Sequence, residues 1–96
     1  MSDTTYETMQ APLINHALQA MLNDHGRQGW ELVGVDGETA ELRRPEGAGL
    51  ALVWEYATVP MIPAAREVIL GQWHGMGYEL VLETAAVAYF KRSKEA

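Results

Sequence analysis

Hydrophobic and polar positions along the chain follow the same succession of patterns twice. Each half opens with a short extended segment that leads into a proline. A stretch with apolar residues every three or four positions follows, which is typical of a helix with one buried face. Two short runs with strand character complete each half, at residues 30–35 and 39–44 and at residues 78–83 and 86–92. The pattern therefore predicts strand–helix–strand–strand, two times over.

Prolines, glycines and one turn sequence mark the expected element boundaries. Pro12 and Pro60 are expected in the first turn of each helix, where the missing N–H is not needed. The helices are expected to end in left-handed glycines, chosen from positions 26, 29, 75 and 77. Asp36–Gly37 predicts a two-residue hairpin turn, and the matching Thr84–Ala85 predicts a wider connection.

The two halves align without a gap at an offset of 48 positions in this chain of 96 residues. The run Gly-Trp-Glu-Leu-Val at 29–33 matches Gly-Tyr-Glu-Leu-Val at 77–81. Eleven positions are identical between residues 6–44 and 54–92, and many others are conservative. Convergence on a shared secondary structure rarely preserves register without a gap, so we interpret the halves as an internal duplication.

The duplication predicts a single α+β domain over residues 1–96, with repeat one at about 5–45 and repeat two at about 50–93. The simplest arrangement is a pseudo-twofold, two-layer domain. In it, two helices pack on one face of a mainly antiparallel sheet of about six strands. One repeat alone lies near the lower size limit for independent folding, and the second repeat supplies a partner within the same chain.

Repeat two also carries a family resemblance. Its motifs are Trp-Glu-Tyr at 54–56, Gly-Tyr-Glu-Leu-Val at 77–81 and Tyr-Phe-Lys-Arg at 89–92. With a helix between the first two motifs, this order resembles the small bacterial family called domain of unknown function 4177. The resemblance extends to repeat one, giving two tandem copies at about 6–44 and 54–92, although Thr8 and Glu41 replace aromatic residues there. It implies a compact α+β module and brings no established activity.

Composition narrows the class of protein. Thirteen acidic residues against seven Lys and Arg give a formal net charge of −6. This balance argues against nucleic-acid binding, which needs clustered basic residues. The absence of cysteine excludes disulfides and thiolate chemistry. No apolar run approaches the ~20 residues that span a bilayer, and the first residues lack the features of a secretory signal. We expect a cytoplasmic protein without a membrane partner.

Few residues point to catalysis. The three histidines do not occupy matching positions in the two halves and lack the spacing of a helical metal pair. Glu31 and Glu79 do match, and paired carboxylates can divide acid and base roles. They are better explained as strand residues that face solvent, or that pair with Arg43 and Lys91 on a neighbouring strand. The sequence therefore predicts a non-enzymatic protein with no catalytic residues, metal site or cofactor.

Aromatic residues concentrate in repeat two, and their alternation suggests a binding surface. Tyr56 and Tyr89 fall on one face of the predicted sheet, where repeat one has polar residues. They are either core residues or an exposed aromatic patch with a polar border, which would mark a binding surface. The leading hypothesis is an adaptor or regulator that binds a protein partner, or a second copy of itself, through this open sheet face.

Two alternative functions stay open. A small ligand would occupy the seam between the repeats, lined by Trp30, Glu31, Tyr78 and Glu79. An acidic inhibitor protein from a mobile element would instead cover a basic surface on its target. That third function predicts a steep dependence of binding on salt, which an aromatic patch does not.

Overall fold

A computed structural model describes residues 5–14, 17–46 and 52–95 of the chain. These ranges form an α+β fold, as expected. The elements in chain order are β1 (Tyr6–Pro12), α1 (Leu18–Gly26), β2 (Glu31–Asp36), β3 (Thr39–Pro45), β4 (Leu52–Pro60), a 3₁₀ turn (Pro63–Ala65), α2 (Arg66–Gly75), β5 (Glu79–Glu83) and β6 (Val87–Glu95). None of the helices within these ranges is long and apolar enough to cross a lipid bilayer.

The strands form two antiparallel sheets of three, in the orders β1-β3-β2 and β4-β6-β5. The pairing registers of the two sheets coincide at the 48-residue offset, and both have an irregularity at the same place, Leu32/Gly34 and Leu80/Leu82. The repeated topology is thus confirmed. The expected number of antiparallel strands, six, is also correct, but the strands form two sheets and not one. The outer edge of β4 is covered by α1 and not by another strand.

Both helices begin later than the prolines predicted. Pro12 and Pro60 are the last residues of β1 and β4 and do not open a helix. Proline is tolerated there because the two strands are sheet edges, where an N–H is not always required. Pro63 instead opens the 3₁₀ turn that precedes α2.

The turns agree with the sequence in part. The two-residue turn between β2 and β3 consists of Gly37 and Glu38, one position later than the predicted Asp36–Gly37. Gly29 and Gly77 follow the two helices with φ of 88°, the left-handed conformation that glycine adopts without strain. Gly37 has φ of 62° in the two-residue turn between β2 and β3. The connection between β5 and β6 is wider, as predicted, and the Thr84 hydroxyl organises it by accepting the N–H of Val87 at 3.1 Å.

The core consists of two unequal clusters. The larger one joins repeat one to two tyrosines of repeat two, and its buried members are Ala11, Met21, Leu22, Trp30, Leu32, Ala40, Leu42, Tyr56 and Tyr89. The smaller one belongs to repeat two alone. Its buried residues are Ala57, Ala88 and Phe90, against which the α2 residues Ile69, Leu70 and Trp73 pack. Repeat one therefore depends on repeat two for its interior.

Helix α1 lies along the outer edge of β4 and replaces a neighbouring strand. The Asn23 carboxamide donates to the Tyr56 carbonyl at 3.3 Å and accepts the Tyr56 N–H at 2.7 Å. The Thr58 N–H donates to Gln19 Oε1 at 3.1 Å. An edge strand otherwise presents unpaired backbone groups that invite another strand. We call this arrangement of Gln19, Asn23 and Gly26 against β4 the α1–β4 contact.

Gly26 permits the close approach in the α1–β4 contact. A Cβ at this position would lie 2.1 Å from the Trp54 carbonyl oxygen and 3.0 Å from the Tyr56 ring. Of the four glycines expected to be left-handed, Gly75 and Gly26 are not. Gly26 is the last residue of α1. Its lack of a side chain serves packing and not the backbone conformation.

We predict that Gly26→Ala destabilises the protein by about 1–3 kcal/mol, since the added methyl group must push β4 away from α1. The matched control is Gly75→Ala near the end of α2, where a Cβ meets nothing within 4 Å. The control is expected to be neutral or to stabilise by up to ~1 kcal/mol, because alanine is the better helix former. Urea denaturation of both variants measures the difference. Equal effects would contradict the proposed role of Gly26.

Candidate functional site

Tyr56 and Tyr89 are buried, with 2% and 4% of their surface exposed. The Tyr56 hydroxyl accepts the Leu32 N–H at 2.7 Å and donates to the Trp30 carbonyl at 2.8 Å. The expected exposed patch at these two residues is therefore wrong, and the core interpretation is correct. Alternation indicates which face of a sheet a side chain occupies, but not that repeat one covers that face.

Burial also changes the chemistry of both phenols. Loss of solvent raises the pKa of the Tyr56 hydroxyl well above its ordinary value of 10.0; the Leu32 N–H opposes this rise, and the charge of Glu31 adds to it. Burial likewise raises the pKa of Tyr89. Both side chains are therefore neutral at physiological pH and act as packing groups.

The two matching carboxylates have different environments. Glu31 accepts Lys91 Nζ at 2.5 Å and Arg43 Nε at 3.3 Å, so it joins β2 to its own sheet and to the sheet of repeat two. Glu79 is exposed and forms no ion pair with any residue that the structure describes. The expected ion pairs with Arg43 and Lys91 are therefore present for Glu31. Glu79 pairs with neither of these two residues.

Trp30 and Tyr78 belong to a side-chain cluster that each repeat contains. Its members are Glu7, Trp30 and Arg44 in repeat one, and Glu55, Tyr78 and Arg92 in repeat two. Each guanidinium pairs with its Glu and stacks over the aromatic ring, at 4.3 Å from the Trp30 centroid and 4.5 Å from the Tyr78 centroid. Each also donates to a carbonyl of the preceding turn, at 3.0 and 2.9 Å. These recurring residues therefore tie three strands and a turn together.

The histidines give no metal site in the described ranges, where no three metal-binding side chains converge. His25 is half-buried and His74 is exposed, each in the last turn of its helix. His16 lies outside the described residues.

The α1–β4 contact has no equivalent in the other half of the molecule. The 48-residue offset matches α2 with α1 and β1 with β4, but α2 and β1 do not pack together among the described residues as α1 and β4 do. Three substitutions between the repeats explain the difference, with Thr8 in place of Tyr56, Gly71 in place of Asn23 and His74 in place of Gly26. The three differences can be found in the alignment of the repeats. Their importance follows only from the contacts that the structure shows for Asn23, Gly26 and Tyr56.

The first consequence is an open edge on β1. The Tyr56 backbone groups point away from β6 towards Asn23, and β1 pairs with β3 in the same register as β4 with β6. The N–H groups of Thr8 and Gln10 therefore point away from β3. No hydrogen bond from the described residues reaches this side of β1, and the side chains of Tyr6, Thr8 and Gln10 are exposed.

The second consequence is an open groove between α2 and β5, of about 320 Å³. We call it the repeat-two groove, and its lining residues are Leu70, Gly71, His74, Tyr78, Leu80 and Phe90. At the 48-residue offset these positions match Leu22, Asn23, Gly26, Trp30, Leu32 and Leu42. Four of the matching residues, Leu22, Trp30, Leu32 and Leu42, lie with Tyr56 in the larger core cluster. The groove is thus the counterpart of a region that Tyr56 closes in repeat one.

Comparison of the sequence with protein-family models and with curated proteins, and of the fold with solved structures, gives no match, so the resemblance stated above stays a prediction.

We predict that Tyr56→Phe costs about 1–3 kcal/mol of stability, because it leaves the Leu32 N–H and the Trp30 carbonyl buried without their partner. The matched control is Tyr89→Phe. Its hydroxyl makes no hydrogen bond to the described residues, and no buried polar side-chain atom among them lacks a partner. Denaturant unfolding measures both variants. A cost for Tyr89→Phe equal to that for Tyr56→Phe would contradict the bridging role of the Tyr56 hydroxyl.

A pH dependence follows from the raised pKa of Tyr56. The unfolded chain ionises this phenol from about pH 10, whereas the folded chain keeps it protonated. The folded state then binds more protons, so stability is full below that pH and falls as pH rises above it, by up to ~1.4 kcal/mol per pH unit. Tyr56→Phe is expected to flatten this decline. Urea midpoints between pH 9 and about pH 11 test the slope, and an unchanged slope in the variant would refute it.

Proposed function

We propose that this protein is a non-enzymatic binding module that associates through the outer edge of β1, and that the strand added there is β1 of a second copy. The observation that carries the proposal is the contrast between two equivalent edge strands. Asn23 and Gln19 satisfy the outward backbone groups of β4. No described residue does so for β1. Addition of a strand to such an edge is a common mode of recognition.

The sequence of β1 is suited to pairing with itself. In an antiparallel pair centred on Thr8, the two threonines face each other, and Tyr6 faces Gln10 of the second copy. No like charges oppose each other on this exposed face, and threonine pairs across strands are favourable. The only charge on β1, Glu7, is engaged by Arg44 within its own chain. The pair would join the β1-β3-β2 sheets of the two copies into one sheet of six strands. This is the isologous geometry of a twofold dimer.

The ion pairs support a binding role over catalysis. Of the carboxylates that match between repeats, Glu7, Glu31 and Glu55 are all engaged by Arg or Lys side chains that hold strands together. Carboxylates with such structural duties are poor candidates for acid–base exchange.

Salt distinguishes this proposal from an acidic inhibitor. Two chains of net charge −6 repel each other, so self-association is expected to strengthen when salt screens that repulsion. Binding of an acidic chain to a basic target would instead weaken with salt. A small-ligand site at the seam between the repeats stays a prediction. The repeat-two groove is a different place, because it includes Tyr78 but not Trp30, Glu31 or Glu79.

We predict that Thr8→Pro abolishes dimerisation and leaves the fold intact. Proline removes the outward N–H of an edge strand without touching the bonds to β3. Thr8→Val retains the N–H and is the matched control, expected to remain a dimer. Sedimentation velocity up to about 100 μM, where a micromolar dimer is well populated, gives the mass of each variant. A monomeric wild type, or a dimeric Thr8→Pro, would overturn the proposal.

A further inference from the structure

We infer that the repeat-two groove is a binding site for a small, neutral phenol. The inference is independent of the association through β1. It rests on the internal duplication, because repeat one shows what occupies the equivalent place. There the occupant is the phenol of Tyr56, whose ring lies beside Gly26 and whose hydroxyl is bound by the backbone of β2.

The backbone of β5 offers the same polar pair as the backbone of β2. The Leu32 N–H points away from β3 to the Tyr56 hydroxyl, and Leu80 pairs with Phe90 in the register in which Leu32 pairs with Leu42. The Leu80 N–H is therefore directed away from β6, and the Tyr78 carbonyl corresponds to that of Trp30. A donor and an acceptor side by side match a hydroxyl group, which both donates and accepts.

The walls of the groove are those of an aromatic site. Leu70, Leu80 and Phe90 are apolar residues that line it, and Phe90 has 1% of its surface exposed. The groove is open to solvent. Its volume of about 320 Å³ is larger than the ~150 Å³ of an enclosed cavity that binds benzene, so its size does not exclude a phenol with a short substituent.

The chain cannot fill the groove from its own β1. Thr8 stands where the ring of Tyr56 would be required, and it has no ring to insert. A strand from another protein is also disfavoured. His74 matches Gly26, where a Cβ would lie 2.1 Å from the Trp54 carbonyl oxygen of β4. The Cβ of His74 would therefore clash with a strand placed against α2 as β4 is placed against α1. Gly71 moreover lacks the carboxamide with which Asn23 receives the strand backbone. A free phenol carries no backbone, so it avoids the contact at 2.1 Å and does not need the carboxamide. Its ring must lie slightly further from α2 than the Tyr56 ring lies from α1, because a Cβ at Gly26 would be 3.0 Å from that ring and His74 has a Cβ.

Titration with p-cresol, the side chain of tyrosine as a free molecule, tests the inference. In ¹H–¹⁵N NMR spectra of the wild type, we expect saturable shifts centred on the amides of Gly71 and Leu80. Toluene has the same ring and methyl group without the hydroxyl, and it is expected to bind at least ~10-fold more weakly because the polar pair then loses water without compensation. Equal affinities, or no saturable shift with p-cresol, would overturn the inference.

A pair of leucine variants locates the binding. Gly71→Leu places a side chain in the groove, and Gly75→Leu places the same side chain on the same helix outside it. A Cβ meets nothing within 4 Å at either position, so both variants are expected to fold. Loss of p-cresol binding only in Gly71→Leu is the expected result. Binding that survives in Gly71→Leu would refute the site.

The Thr8→Pro variant separates the two proposals. Its groove is unchanged, so it is expected to bind p-cresol with wild-type affinity whether or not the wild type dimerises. Loss of p-cresol binding in Thr8→Pro would overturn the independence of the groove from β1.

Discussion

The structure depends on the insertion of Tyr56 between the two repeats. Its hydroxyl bridges two backbone groups of β2, its ring lies beside Gly26, and its own backbone is held by Asn23. One residue thus satisfies polar groups of a strand, fills the main core and binds a helix to a sheet edge. The arrangement requires Gly26, Asn23 and Tyr56 together, because removal of any one leaves a clash, an unpaired edge or a cavity.

The internal duplication explains both the order of the fold and its open surfaces. The residues that recur, such as Glu7 with Glu55 and Arg44 with Arg92, build the same strand-to-strand links in each repeat. The residues that differ decide which contacts between repeats form. Trp73 stacks on Phe90 where repeat one has His25, so repeat two builds its smaller core from its own helix. Among the described residues, the outer edge of β1 and the repeat-two groove are left open where repeat one and repeat two differ in this way.

Sequence patterns predicted the local structure well, because turns and strands are determined by nearby residues. The hairpin turn between β2 and β3 was predicted within one residue, and the wider connection after β5 was predicted correctly. The number of sheets and the burial of Tyr56 and Tyr89 could not be predicted in the same way. Alternation cannot tell whether a face is covered by solvent or by a distant segment. The repeat-two groove could be predicted only by someone who knew which contacts Asn23 and Gly26 make in repeat one.

The sharing of the larger core has a consequence for the order in which the chain can fold. The cluster around Leu22, Leu32 and Leu42 is complete only when Tyr56 and Tyr89 have joined it, and Tyr89 lies in the last strand, β6. During synthesis from the amino terminus, repeat one must therefore stay unfinished until most of the second repeat has left the ribosome. Repeat two does not depend on repeat one in this way, because its helix and sheet form a core cluster from its own residues. We therefore expect repeat one to complete its core by packing against repeat two.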